Sequence, residues 1–538
     1  MPGALGLKTS VVASVAVAML VPAAAAGAPG DLDETFSSDG LEPLTAPAYG
    51  RALAMQPDNG TVVVGSSGVP ERIYASVARY VPEGPLDSSF GDGGEAVLAF
   101  GVPQSDGDGP ASSATDVAIQ GDGSIVVVGE VAVSTEDSSW LVARLRRDGS
   151  LDPTFDEDGV VVLGLGSEAL ATAIDSAGRI VVAGDGGVVR LLSDGSLDTS
   201  FSDDGVQDSL AIPGQAIALL EDGSTLVGGR LPGARAAIMR LAANGEPDTA
   251  FGSQGSASFE LDAPIGGIGS IVVEEAGDIV VSAWECTPLQ LGPGGGGPTC
   301  ANRVRRFDER GGGPASVGGY LALPVPSEGS VALVVGGRVL TSGLGAPLRR
   351  LPSTMAVRST SSEGELDESF GRRGTTFAYS GLAALGLEDM ALAPNGTVAV
   401  LGSSSLARFE LDAEPRDSDA DGKLNRDDAC DFFSSPSRRG CLRIARHAKL
   451  RYTPGRRLKV RIESRFPACL YDERVKVKRI RGGRDVVAGS SVAEYGEARF
   501  PRAIPPGRYY AVVQAHLERE TGFCERAATQ PVRVPRTP

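Results

Sequence analysis

Gly121-Asp122-Gly123-Ser124-Ile125-Val126-Val127-Val128-Gly129 and, farther on, Leu151-Asp152-Pro153-Thr154-Phe155-Asp156-Glu157-Asp158-Gly159 decide how the chain is read. In the first, Asp-Gly supplies the positive backbone φ of a tight hairpin, and the β-branched run packs well on a pleated surface. The same turn and run return at 58–65, 177–184, 222–228, 276–281, 336–340 and 394–402, seven copies in all. The second stretch returns at 32–40, 86–94, 197–205, 247–255 (with Pro247 in place of Leu) and 366–374, with a worn copy around 307–311. Self-similarity at a fixed spacing means one supersecondary unit repeated, each unit unable to bury its own apolar face.

Each unit reads as four short strands; in the second they fall near 95–100, 114–120, 124–131 and 140–145. No helical apolar period runs for long in this region. Seven four-stranded units of roughly 55 residues suit a seven-bladed β-propeller, in which radial repetition protects sheet edges. The repeat begins in mid-unit at Leu32 and ends with 406–412, a strand without its usual sequel, so one blade is expected to combine both ends of the region. An open solenoid would instead need polar capping units, and none is identifiable.

These marks resemble the delta-60 repeats of bacterial exported proteins over about 30–412. The resemblance implies a propeller-like β-fold and no assigned biochemical role. Blade geometry is most open in the unit 256–324, which departs from the pattern.

Residues recurring in every unit answer a need every unit shares: Leu32 and Phe36 with their copies fill core, Asp33 and its copies bond turn N–H groups, and the glycines permit tight backbone paths. Catalysis breaks symmetry. The two histidines are His447 and His516, both beyond the repeats, so Ser-His-Asp and histidine-ligated metal chemistry are excluded from the main body. No carboxylate pair stands out by an apolar neighbourhood. Two insertions break the pattern, at 101–110 and at 284–300, the second glycine-rich and bounded by Trp284 and Cys300.

After the repeats, Asp417, Asp419 and Asp421, then Gly422, the carbonyl of Lys423, Asn425 and Asp428 have the spacing of a calcium loop. With Cys430 and Cys441 the stretch 417–441 resembles a thrombospondin type 3 repeat, which implies a calcium-loaded spacer. A Pro that usually follows the first cysteine is replaced by Asp431. Residues 442–538 alternate strand and turn and read as a small Ig-like β-sandwich, with Cys469 and Cys524 as a staple. Its 22 Lys and Arg against 9 Asp and Glu give +13, so the −18 of the whole chain becomes −31 for residues 1–441.

Residues 1–26 carry one lysine, a short apolar run and small exit residues, the pattern of a secretory signal peptide, too short for a membrane span. The six cysteines form three local couples, Cys286 with Cys300 being the third, which suits disulfides in an oxidising compartment. The expected whole is an all-β exported chain: signal 1–26, propeller 30–412, calcium linker 413–441 and basic sandwich 442–538. Its expected role is secreted or cell-surface binding and adhesion to a protein or glycan. The basic module contacts an anionic envelope polymer, without nucleic acid, membrane span or catalytic activity. The alternative is a carboxylate-dependent glycan hydrolase or lyase acting in the propeller channel.

Overall fold

The computed structural model describes residues 29–411 and 443–534, apart from internal stretches of which 103–110, 288–299, 324–331, 346–353, 379–386 and 464–472 are the longest. The described residues form strands and turns and no helix.

Among the described residues, seven antiparallel sheets follow one another from residue 41 to 410. The first consists of Tyr49–Met55, Thr61–Val69, Arg72–Tyr80 and Glu95–Leu98, paired in that order. The next five begin with Ser112–Ile119, Ala169–Ile174, Ala216–Leu219, Ile265–Val273 and Ala332–Val335. The seventh is built from Leu387–Leu392, Thr397–Gly402 and Ser405–Glu410, with Leu41–Pro43 of the other end on its outer edge. The leading strands touch in sequence, and Leu387–Leu392 touches Tyr49–Met55, so the contacts run in a closed circuit. Every adjoining pair of sheets shares its own apolar cluster; Val62, Val64 and Val77 of the first meet Val117, Ile125 and Val127 of the second. The body is therefore all-β and β-propeller-like.

The sequence unit and the sheet are out of phase. Residues 72–80 and 95–98 pair within the first sheet and 112–145 open the second, so the Leu-Asp-x-x-Phe turn at 86–90 joins the third strand of a sheet to its fourth, and the chain changes sheet only after that fourth strand. That offset leaves the N-terminal segment free to complete the seventh sheet. Pro247 keeps the same bridge to the third strand, Leu241 to Pro247, that Leu145 makes to Leu151. In the departing unit the fourth strand is split into Ala315–Ser316 and Leu321–Leu323, both paired with Cys300–Phe307. The worn copy at 307–311 is corrected: Gly311 lies against the Phe251 ring as Gly149 lies against Phe90, so it is the turn that precedes a Leu-Asp-x-x-Phe copy.

In four of the sheets an arginine on the third strand ties the turn to its neighbours. Arg144 donates to Asp152 at 2.9 Å, lies 4.8 Å from the Phe155 ring centroid, and donates to the Ser193 carbonyl in the following turn. Arg190 does the same with Asp198 at 2.7 Å, Phe201 at 4.7 Å and the Ala243 carbonyl at 2.6 Å. Arg79 with Phe90, and Arg408 with Phe36 at the seam, repeat the stack and the reach. The turn glycine is needed here: at Gly149, φ is +87° and a Cβ would lie 2.8 Å from the Gly91 nitrogen.

The C-terminal residues form three further sheets: Arg443–Ile444 with His516–Glu518 and Gly522–Cys524; His447–Thr453 with Arg457–Glu463 and Glu497–Phe500; and a five-stranded sheet around Glu473–Arg479 and Gly507–Val513. Leu458, Val460, Val475, Val477 and Tyr509 share one core between the last two.

Arg190 and Asp198 have side chains only 4% and 7% exposed, so Arg190→Met leaves a buried carboxylate with the longer Arg179 contact, at 3.3 Å, as its remaining ion pair. The expected loss is about 3 kcal/mol, read from the denaturant midpoint. Arg79→Met, whose pair is 17% and 19% exposed, is expected to cost less.

Candidate functional site

Five of the leading strands carry a β-bulge at the same level, and the residues it turns inward are Arg51, Thr115, Leu170, Gly269 and Glu388. Bulges re-aim side chains. These residues, with Asp116, Thr172, Gln215, Ser270 and Asp389, line a central cavity of about 260 Å³. In the first two sheets the glycine ending the Val-rich run makes room for the bulge: a Cβ at Gly65 or Gly129 would overlap the carbonyl of Tyr49 or Ser113.

Asp116 and Asp389 are half-buried against this cavity, deep in the body. Asp116 accepts Val117 N–H at 2.8 Å and Thr172 N–H at 2.7 Å; Asp389 accepts Met390 N–H at 2.7 Å and Leu53 N–H at 2.8 Å. Each thus pins its own sheet to the next, and Gln215 does likewise through Ile268 N–H at 3.1 Å. Burial pushes Asp116 up to about 7, with the Asp389 charge adding to it, and burial pushes Asp389 up to about 6. Both carboxylates are occupied with backbone, which makes them struts.

A second set of carboxylates lies beside Arg51 at the end where the chain enters the leading strands. Glu130 stands opposite Ser113 and accepts its hydroxyl at 3.1 Å. Glu168 immediately precedes Ala169, and Asp185 follows the strand Ile180–Gly184. Burial raises Glu130 above the ordinary range, Arg51 working against the rise and Asp185 with it. Burial, then the Glu130 charge, raises Glu168. For Asp185 burial is outweighed by Ser167, at 2.6 Å, and the indole N–H of buried Trp140, at 3.0 Å, and the carboxyl is held below the usual range. The arrangement offers two glutamates whose carboxyls burial raises above the usual range, beside a carboxylate held below it and a guanidinium.

These positions break the repeat. At the level of Glu130 the first, fifth and seventh sheets carry Ser66, Trp284 and Ser403; at the level of Glu168 the first and fifth carry Tyr49 and Gly267. Tyr49 is 61% exposed and Trp284 half-buried. Both insertions open at this end, between Glu95–Leu98 and Ser112–Ile119 and between Ile279–Cys286 and Cys300–Phe307. The absence of an outstanding carboxylate pair is therefore corrected: 130, 168 and 185 are far apart in sequence and only the sheet register gathers them.

The metal residues Asp417, Asp419, Asp421, Lys423, Asn425 and Asp428 lie outside the described residues, as do segment 1–26 and Cys430, Cys441 and Cys469. Among the described residues no group of three His, Cys, Asp or Glu is gathered for a metal, and no helix is long and apolar enough to cross a membrane. Cys286 is disulfide-bonded, and Cys300 is its partner in the strand register.

The sheets and their cavity define the class, a β-propeller-like body. Residues 120–155 and 178–201 match the family described as a domain of unknown function (DUF5122) beta-propeller. No curated protein sequence matches the chain. Solved structures similar to it include the polysaccharide lyase Uly1, at 13% identity and TM-score 0.32, covering 69% of this chain and 91% of that one. An exo-β-1,3-galactanase from Clostridium thermocellum matches at 11% and 0.26 over 88% and 99%, and a GH43 β-1,3-galactosidase at 11% and 0.28 over 72% and 91%. At these scores no residue or role is carried across. The expectation that the chain is not an enzyme finds no support here: the solved structures similar to it are glycan-acting enzymes.

The raised carboxyls bind protons in the folded state that the unfolded chain has already released, so stability is greatest in mild acid and falls as pH rises toward 7. The melting midpoint is expected to drop between about pH 5 and 8, and Asp116→Asn to flatten that slope.

Proposed function

We propose that the chain is a carboxylate-dependent glycan-cleaving enzyme working at the Arg51 end of the cavity. The observation that carries this reading is the pair Glu130 and Glu168, both lifted by burial and each sensing the other or Asp185. Cleaving a glycosidic bond takes two carboxyl groups in opposite protonation states and neither histidine nor metal. Glu168, whose rise has the Glu130 charge behind it, is the proton donor to the leaving oxygen. Glu130, bonded to Ser113 and eased by Arg51, is the ionised partner. Tyr49 and Trp284 offer ring faces for sugars, as amphipathic aromatics do at polar sites. This reading is preferred to an adhesive platform.

The finer architecture belongs to the same proposal: seven delta-60 blades closed at residues 41–43, a thrombospondin type 3-like linker, and an Ig-like module on an exported chain. In the linker Asp417, Asp419, Asp421, Lys423, Asn425 and Asp428 would hold calcium.

Incubation of the purified chain with neutral and acidic polysaccharides, followed by assay of new chain ends, tests the activity. Glu168→Gln and Glu130→Gln are expected to lower kcat by about a hundred- to ten-thousand-fold. An absence of turnover on every glycan, or turnover indifferent to both changes, refutes the assignment. For the linker, a chelator is expected to lower the melting temperature of its transition, and Asp419→Ala to abolish that response.

A further inference from the structure

The sheet formed by His447–Thr453, Arg457–Glu463 and Glu497–Phe500 turns one side inward, where Leu450, Leu458, Val460, Ile462, Ala498 and Phe500 are buried. Strand alternation places the intervening residues on the outer side. There Arg451 stands opposite Lys459, and Lys459 opposite Arg499; in the next row Lys449 stands opposite Arg461, and Arg461 opposite Glu497. Lys449, Arg451, Arg461 and Arg499 are exposed and Lys459 half-buried. Cations directly opposite one another across strands oppose sheet formation. Five cations against the one carboxylate, Glu497, in these rows give this face a net positive charge at the surface.

We infer that this face is a binding site for an extended anionic polysaccharide. The cations form a flat grid, about 4.8 Å between strands and about 6.7 Å between alternate residues of one strand. Such a grid meets a chain of repeated anionic groups better than a single compact ion, which would want converging donors. The rows carry no aromatic or large apolar residue, the anchors on which protein partners and stacked bases depend. Tyr452, the aromatic residue of these strands nearest the rows, has the inward parity of Leu450. Carboxylate, sulfate and phosphate would all satisfy the grid, because the attraction is that of charge at close range in water and is screened by salt.

The inference is independent of the proposed catalysis, since its readout is binding. The full chain is tested by co-sedimentation with polygalacturonate, dextran sulfate, an anionic phosphate-bearing glycan and neutral dextran. Binding to one or more of the anionic polymers and not to dextran is expected, falling at least about tenfold from low salt to 1 M, where screening reaches about 3 Å. The pattern among the three identifies the anion. Arg451→Gln with Arg499→Gln is expected to cut binding at least tenfold. Lys476→Gln with Lys478→Gln, on Glu473–Arg479 of the other sheet, is expected to leave binding unchanged. Equal loss in both pairs would reduce the effect to net charge and overturn the site. So would failure to bind any polyanion.

Discussion

The body depends on one contact made over and over: a guanidinium laid on a phenylalanine ring, bonded to the turn aspartate of its own unit and reaching the backbone of the next. Neighbouring sheets are otherwise joined by the bonds of Asp116, Gln215 and Asp389 at the cavity and by aliphatic packing, which is adhesive but indifferent to register. The arginine adds direction. At Arg190, exposed by only 3%, desolvation is offset by Asp198, Ser200 and a carbonyl, so the buried charge is well bonded. Because its last bond lands one turn farther along, a sheet that carries it helps fix the angle of the next, and the circuit closes where residue 41 pairs with residue 407.

Much of this was legible in the sequence, and for a physical reason. Tight turns and close approaches admit few residue types, so Asp-Gly, Asn-Gly and the Leu-Asp-x-x-Phe run survive as visible marks. The third-strand arginine was not read, although Arg79, Arg144, Arg190, Arg240 and Arg408 sit at one position of the repeat. A charged residue within a strand is ordinarily taken for a solvent-facing one, and only the stacked geometry reveals that it is interior. The phase between unit and sheet was similarly hidden, since a repeat has no natural starting point until the pairing partners are known.

The candidate site was far less legible. Its residues come from neighbouring sheets and share no local spacing; Glu130 and Asp185 occupy places where other sheets have Ser66 and Ser403, so the signal is a departure from a pattern that must first be aligned by structure. Asp116 and Asp389 show the opposite case. They are the most perturbed acids of the described residues, yet their oxygens are spent on backbone N–H groups. Perturbation alone therefore separates interior from surface, and free lone pairs separate a reactive group from a strut.

The sheet that unites Leu41–Pro43 with Ser405–Glu410 has a mechanical corollary. Both ends of the body leave from adjacent strands, so tension between them runs along a single zipped pair and bypasses the six other sheets. The load falls on a three-residue strand and on the Arg408 stack over Phe36, which act together as a clasp. A chain anchored at one end and pulled at the other would yield there first, while the cavity walls farther round the circuit remained undisturbed.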